Sequence, residues 1–165
     1  MHKRRLLLPL GALVIAGCTS APPAAPAWTL APPSPNPSAG IVENAVVIDV
    51  YKSPSCGCCH AWEAYLRSLG YTVRSVPTED MATIKADHGL PQETWSCHTA
   101  VVDGYVVEGH VPVEAIRDLL ANRPAIDGIA LPGMPAGSPG MPGEKAAPFE
   151  ILAISDGTIS DFGAY

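Results

Sequence analysis

The sequence predicts a single α/β domain with a mixed β-sheet over residues 41–165. Three observations predict this class. Apolar β-branched runs alternate with segments of helical periodicity in the order β-α-β-α-β-β-α. A cysteine-rich turn lies between the first strand and the first helix. After an N-terminal leader and a proline-rich segment, about 125 residues remain, which suffices for one domain with a modest core.

The first half of the domain is predicted to contain two strand–helix pairs. Residues 45–51 form an apolar, β-branched run typical of a buried strand, and residues 60–69 have helical spacing. Residues 71–76 alternate as a second strand, and Thr78 is predicted to cap a helix over residues 79–88. Because a short helical crossover joins them, the two strands are predicted to be parallel.

The second half begins with a hairpin and a helix. Asp103-Gly104 separates two apolar runs, residues 99–102 and 105–107, which is a strong signal for a tight hairpin. Pro112 is a favoured first residue of the helix that follows. The succession of elements is that of a thioredoxin-like fold. In such folds the segment that enters the third strand lies beside the turn that follows the first strand.

The C-terminal part is predicted to be a loop followed by a hairpin. Residues 129–142 contain Pro-Gly-Met-Pro twice, and their prolines and glycines disfavour both helix and strand. Residues 149–155 and 158–162, separated by Asp-Gly, are predicted to form a terminal β-hairpin. The sequence leaves open whether this hairpin closes over the site or joins the main sheet.

The cysteines are concentrated where the first strand meets the first helix. Cys56 and Cys59 have the Cys-x-x-Cys spacing of a thioredoxin-like redox pair. Cys58 is a third thiol in the same turn, and a third sulfur indicates a soft metal ion rather than a dithiol switch alone. The free N–H groups of the following helix favour thiolates. The predicted fold also brings Cys97 beside this turn.

The candidate metal ligands carry soft sulfur or imidazole donor atoms. Thiolates and thioethers favour Cu(I), and imidazole suits copper in either oxidation state, so we expect a site for one or several Cu(I) ions. The alternative for the methionines is packing of the loop against the sheet, and for the histidines a hydrogen bond to loop backbone. His60 is a weaker candidate, because the first helical turn can direct it to solvent. The expected ligands are Cys56, Cys58, Cys59, Cys97, His98, His110, Met134 and Met141.

The cysteines have other possible uses besides copper binding. Structural disulfides fit poorly, because the adjacent Cys58 and Cys59 cannot pair with each other without strain. A zinc ribbon needs two Cys-x-x-Cys pairs, which the sequence lacks. A thiol–disulfide oxidoreductase would use Cys56 as the nucleophile and Cys59 as the resolving thiol. Metal binding, thiol exchange and copper redox chemistry that joins the two all stay open at this point.

The N-terminus is predicted to export and anchor the chain. Residues 1–17 have a basic start and a short apolar run, which is typical of a signal peptide. The run ends in Ile15-Ala16-Gly17-Cys18, which resembles a bacterial lipobox and implies lipid attachment to Cys18. Residues 18–40 are then a Pro/Ala-rich tether. Thr19 after the cysteine favours the outer membrane, so we expect a lipoprotein on its periplasmic face.

The charge of the mature chain argues against nucleic acid as a partner. Three of the 10 basic residues leave with the leader, so seven remain against 16 acidic ones, a formal charge of −9. A chain this acidic has no basic footprint for a phosphate backbone. The expected partners are therefore the membrane, through the lipid, and copper ions or a periplasmic protein that donates or accepts copper.

Four separated segments together resemble the CopG-like family of periplasmic copper-resistance proteins, and the resemblance runs from about residue 45 to the C-terminus. It implies a thioredoxin-like fold and a cysteine-bridged multinuclear copper site that uses the Cys-x-Cys-Cys motif and Cys97. It also implies a role in copper handling, with interconversion of Cu(I) and Cu(II). The segments are residues 50–59 with Cys56-Gly57-Cys58-Cys59, 96–102 with Ser96-Cys97-His98, 106–112 with Gly109-His110, and 131–141 with its two Pro-Gly-Met repeats.

Overall fold

The computed structural model describes residues 46–165. The predicted leader, the tether and the lipidation site Cys18 lie outside the described residues. The helices are α1 (Gly57–Ser68), α2 (Met81–Asp87) and α3 (Val113–Asn122), with a short 3₁₀ turn at Gln92–Thr94. The strands are β1 (Val47–Lys52), β2 (Thr72–Pro77), β3 (His98–Val102), β4 (Tyr105–Gly109), β5 (Gly128–Leu131), β6 (Glu150–Ser155) and β7 (Thr158–Ala164).

The strands form one seven-stranded mixed sheet in the order β2-β1-β3-β4-β5-β6-β7. The pairs β1/β2 and β4/β5 are parallel, and the other neighbours are antiparallel. This confirms the predicted α/β class with a mixed sheet and the parallel pairing of the first two strands. The sheet places the end of β1 next to the start of β3, because Lys52 is paired with His98.

Two hydrophobic clusters cover the two faces of the sheet. On one face α1 and α3 pack their apolar stripes, which include Trp62, Leu66, Ile116 and Leu119, against inward residues of the central strands. Val107 belongs to this cluster, while its neighbour Val106 belongs to the second one, since successive strand residues face opposite sides. Each fully buried aliphatic side chain stabilises the fold by about 1.5–3 kcal/mol.

The predicted C-terminal loop begins later than expected, and this part of the prediction is wrong. Residues 128–131 form β5, a strand whose four residues are all buried and which pairs with β4 and β6. Four apolar residues next to Pro132 are too few to show a periodicity, so the strand was not separable from the loop. The terminal hairpin is confirmed, and its β6 pairs with β5 as part of the main sheet.

Two helix starts also differ from expectation. Helix α1 begins at Gly57, so Cys58 and Cys59 lie inside its first turn rather than before it. The cap of α2 is Asp80, whose Oδ1 accepts the N–H of Thr83 at 3.1 Å. The predicted cap, Thr78, instead accepts the N–H of Asp80 through its hydroxyl. None of the helices in the described part of the chain is long and apolar enough to cross a bilayer.

Candidate metal centre

The four cysteines of the domain meet at the N-terminus of α1. Cys56 is the N-cap residue of the helix, and Cys97 comes from the segment that leads into β3. Cys58 Sγ lies 3.4 Å from Cys56 Sγ and 3.9 Å from Cys97 Sγ. All four sulfur atoms lie within 4.8 Å of one another. The predicted approach of Cys97 to the turn is therefore present in the structure.

Two of these cysteines are joined. A disulfide links Cys56 to Cys59, with the Cα atoms 5.4 Å apart, and Cys58 and Cys97 are free thiols. Cys59 is fully buried, whereas Cys56 is partly exposed. The structure thus shows the domain in an oxidised form, in which Cys56 and Cys59 are not available as thiolate ligands and Cys58 and Cys97 are.

Cys97 also belongs to a second group of donor atoms. His110 Nε2 lies 2.9 Å from Cys97 Sγ, and His98 Nδ1 lies 3.3 Å from the same sulfur. The ligand atoms of the three residues lie within 4.8 Å of one another. His98 and His110, predicted as ligands, are therefore beside the cysteines, and Cys97 is common to the two groups.

The tautomer of His110 is set by the loop after β5. His110 Nδ1 lies 2.7 Å from the carbonyl oxygen of Pro139, which can only accept, so Nδ1 carries the proton. The other nitrogen, Nε2, then has a free lone pair directed at Cys97 Sγ. An imidazole held by a backbone carbonyl in this way is the usual arrangement of a metal-ligating histidine. Burial of the ring lowers the pKa of His110, which keeps it neutral.

His98 is fully buried between aromatic rings. Its ring centroid lies 4.4 Å from that of Trp62 and 4.9 Å from that of His110. Burial, followed by the neighbouring His110 and Lys85, lowers the pKa of His98 well below its usual value. Among the described residues, Nε2 of His98 has no hydrogen-bond partner. A neutral imidazole with an unused nitrogen is well suited to bind a metal ion.

The surroundings of Cys97 favour its protonated thiol. Burial and the proximity of Cys58 raise the pKa of Cys97 to about 12. The thiol can therefore donate to the free lone pair of His110 Nε2. A metal ion held by Cys97 would take the place of this proton, which would pass to solvent.

The two methionines differ in their surroundings. Met134 is 40% exposed and has a left-handed backbone, with φ of 49°. Met141 is partly buried and follows Gly140, which packs directly on the first turn of α1. A Cβ on Gly140 would lie 2.9 Å from the carbonyl oxygen of Cys58. The loop therefore reaches the cysteines through its backbone, and ligation by the two thioethers stays a prediction.

His60 lies outside both donor groups. Its side chain is 56% exposed, and its Nε2 lies 3.2 Å from the carbonyl of Pro54 and 3.3 Å from Lys52 Nζ. These contacts fit the expectation that His60 faces solvent from the first turn of α1.

Sequence reasoning missed a buried polar network behind the site. Lys85 of α2 forms an ion pair with Glu108 of β4, and both side chains are buried. Thr99 donates to Glu108 Oε2 at 2.7 Å, and Lys85 donates to Thr99 at 3.1 Å. The signal that could have revealed it is the charged Glu108 at the end of an apolar strand, where a solvated side chain is not expected.

The fold and the site together define a thioredoxin-like α/β protein with a cysteine–histidine cluster capable of holding metal. Two solved structures named copper resistance protein CopG are similar to it. Form 2 shares 38% sequence identity with a TM-score of 0.68, over 73% of this chain and 98% of the other. Form 1 shares 39% identity with a TM-score of 0.66, over 72% and 96% of the two chains.

The chain belongs to the CopG family, because these relatives are matched over almost their whole length. A family profile described as "Protein of unknown function, DUF411" matches residues 94–141. That stretch contains Cys97, both histidines of the site, and the Pro-Gly-Met loop. No curated protein matches the chain.

Proposed function

We propose that this protein is a lipid-anchored periplasmic copper-binding protein that holds several Cu(I) ions at a cysteine–histidine cluster and acts in copper resistance. The observation that carries the proposal is the position of Cys97, whose sulfur belongs to both donor groups. A thiolate can bridge two metal ions, so two adjoining groups that share one sulfur are suited to a multinuclear site. The names of the two similar structures support copper as the metal.

The donor set favours Cu(I) over other metal ions. Soft thiolates select Cu(I), and neutral imidazoles complete its coordination. Four thiolates without metal would place like charges within 4.8 Å of one another, which is unfavourable. Several monovalent cations would neutralise that charge. The proposed ligands are the four cysteines, His98 and His110, with Met134 and Met141 as thioether donors from the loop.

The proposed location rests on the N-terminal sequence. A leader over residues 1–17, a lipidated Cys18 and a tether over residues 18–40 would hold the domain at the periplasmic face of the outer membrane. There it would take copper from, or pass it to, another periplasmic protein.

Copper redox chemistry at the same site is supported by the disulfide. Oxidation of the Cys56 and Cys59 thiols to a disulfide releases two protons and two electrons. Those electrons would reduce two Cu(II) ions to two Cu(I) ions. The thiols would then act as ligands in one state and as the reductant in the change between states.

The test is the copper content of the reduced chain. Full-length protein in detergent is loaded anaerobically with Cu(I), desalted, and assayed for copper and for thiols that react with an alkylating agent. Several copper ions per chain with protected thiols support the proposal. Little copper with freely reactive thiols would contradict it. Repeating the assay on Met134→Leu/Met141→Leu tests the thioethers, and unchanged copper retention would remove them from the ligand set.

A second candidate function is thiol–disulfide exchange, which the Cys56–Cys59 disulfide favours. The partly exposed Cys56 would attack a substrate disulfide, and the buried Cys59 would then resolve the mixed disulfide. The substrate would gain two electrons and leave as a dithiol. Reduction of an exposed protein disulfide by the copper-free chain, abolished by Cys56→Ser, would support this function.

A further inference from the structure

We propose that Glu108 is a positioning residue for the metal centre, a role that rests on the proposed function. It holds the backbone before Cys97 and thereby sets the distance between Cys97 and His110. In the described part of the chain, the hydrogen bonds of Glu108 join it to Lys85, Ser96 and Thr99 and not to a proposed ligand. Its Oε1 accepts the backbone N–H of Ser96 at 2.5 Å, one residue before Cys97. Its own backbone lies two residues before His110.

The carboxylate acts from the opposite face of the sheet. Thr99 and Glu108 are directly paired across β3 and β4, and Lys85 of α2 covers them. Since successive strand residues face opposite sides, Thr99 points away from His98 and the metal centre. Glu108 thus connects α2, the start of β3 and the segment that carries Cys97 through its hydrogen bonds.

Gly109 allows Ser96 to pack directly against the end of β4. Its φ is 80°, and a Cβ there would lie 2.5 Å from the carbonyl oxygen of Leu131 and 2.7 Å from Ser96 Cβ. Ser96 therefore rests directly on the backbone that leads from Glu108 to His110. A shift of the Ser96 backbone moves Cys97 relative to His110, because little free space separates the two segments.

Stability alone is a poor explanation for this buried pair. Desolvation of two charges offsets most of their attraction, and apolar replacements of a buried ion pair are often neutral or stabilising. The carboxylate of Glu108 nevertheless accepts hydrogen bonds from Lys85, from Thr99 and from the backbone N–H of Ser96. Burial raises its pKa, and Lys85 opposes that shift. A full set of directed hydrogen bonds gives a fixed geometry, which is what a ligand-bearing segment needs.

The experiment compares two charge-free double variants of the full-length chain. Lys85→Met/Glu108→Gln keeps an acceptor for the Ser96 N–H, whereas Lys85→Met/Glu108→Leu removes it. Both variants lack the buried charges, so neither leaves an unpaired ion. Ile151→Val, a core change in β6, serves as the control for a general loss of stability.

The expected result is a difference in Cu(I) affinity between two variants of similar stability. Measured by competition with a chromophoric Cu(I) chelator, the glutamine variant binds within about 3-fold of wild type and the leucine variant about 10-fold or more weakly. Ile151→Val binds like wild type. Equal affinities of the glutamine and leucine variants would overturn the proposal.

A measurement without copper separates this proposal from the function on which it rests. In the metal-free reduced chain, the ¹⁵N signal of His110 Nε2 reports its contact with Cys97. We expect the ¹⁵N chemical shift of His110 Nε2 to differ from that of wild type in the leucine variant and to equal it in the glutamine variant. Failure of wild type to bind Cu(I) would count against the proposed function alone, while an unmoved signal would count against the role of Glu108.

Should either double variant fail to fold, a milder pair gives the same decision. Thr99→Val removes the hydroxyl that donates to Glu108, and Thr99→Ser keeps it. The valine variant is expected to shift the His110 signal and weaken Cu(I) binding, while the serine variant does neither. Identical behaviour of the two would also overturn the proposal.

Discussion

At the scale of single residues, Cys58 separates metal binding from thiol exchange. A dithiol enzyme needs Cys56 and Cys59, and in the structure these two form the disulfide. Cys58 remains a free thiol within 3.9 Å of Cys97 Sγ. It would therefore be dispensable for thiol exchange, whereas the proposed copper cluster would use it as a ligand.

We expect Cys58→Ser to lower the copper-to-chain ratio while the fold is retained. The side chain is only partly buried, so the free energy of unfolding should change by less than about 1 kcal/mol. Copper content after anaerobic loading and a thermal melt measure the two effects. Ser55→Ala, an exposed change in the same turn, is the control. Unchanged copper in Cys58→Ser would remove this cysteine from the site.

Trp62 offers an optical test of copper at His98. The two ring centroids are 4.4 Å apart, so copper bound to His98 should quench the fluorescence of Trp62. We expect Trp62→Phe to abolish most of the quenching seen in a copper titration. Trp95→Phe, which removes the other tryptophan of the domain, should leave it in place. The reverse pattern would show that copper binds elsewhere.

At the scale of elements, the backbone of the Pro-Gly-Met loop (residues 131–141) contacts both α1 and His110 and holds them in place. Met141 N donates to Ser138 O at 2.8 Å, which closes a turn with Pro139 and Gly140 at its centre. The turn directs the Pro139 carbonyl to His110 Nδ1. Its Gly140 lies so close to Trp62 N that a Cβ would be 2.7 Å away.

Gly140→Ala should therefore be worse than Gly133→Ala. Both glycines have positive φ, 84° and 78°, so both alanines incur a conformational cost of about 1 kcal/mol. A Cβ on Gly133 meets open space, whereas one on Gly140 meets the backbone of α1. We expect denaturant unfolding to show an additional loss of at least about 1 kcal/mol for Gly140→Ala. Weaker Cu(I) binding should accompany this loss. Equal losses of stability and of Cu(I) affinity in the two alanine variants would show that the contact of Gly140 with α1 does not hold the loop in place.

Some elements of the fold could be predicted from the sequence and others could not. The β1–α1 turn, the β3–β4 hairpin and the approach of Cys97 to the turn followed from local patterns and the expected topology. Strand β5 did not, because its residues gain their strand conformation from β4 and β6 on either side. The bond from His110 to the Pro139 carbonyl and the Lys85–Glu108 ion pair could not be predicted either. Both join segments that meet only once the sheet is assembled.

At the scale of the whole molecule, metal should stabilise the folded state. The donor groups come together only in the folded chain, so a bound ion favours folding by mass action. At free Cu(I) about 1,000 times the dissociation constant, the gain is about 4 kcal/mol. For a domain of this size we expect a rise in Tm on the order of 10 °C.

The measurement is a thermal melt of the reduced chain with and without Cu(I), and after removal of copper by a chelator. The same chain with its Cys56–Cys59 disulfide intact is the control, and its Tm should rise less because two thiols are withheld. A rise of equal size in both forms would mean that Cys56 and Cys59 do not hold the metal.

The segments that build the centre are widely spaced along the chain. Cys56 and Cys97 are 41 positions apart, and the Pro139 carbonyl lies another 42 positions further on. A polypeptide that crosses a membrane in an extended form has none of these groups near one another. Under the proposed function, the chain would leave the cytoplasm without copper and would bind it only after folding on the far side, so synthesis of the protein would not itself deplete the cell of the metal.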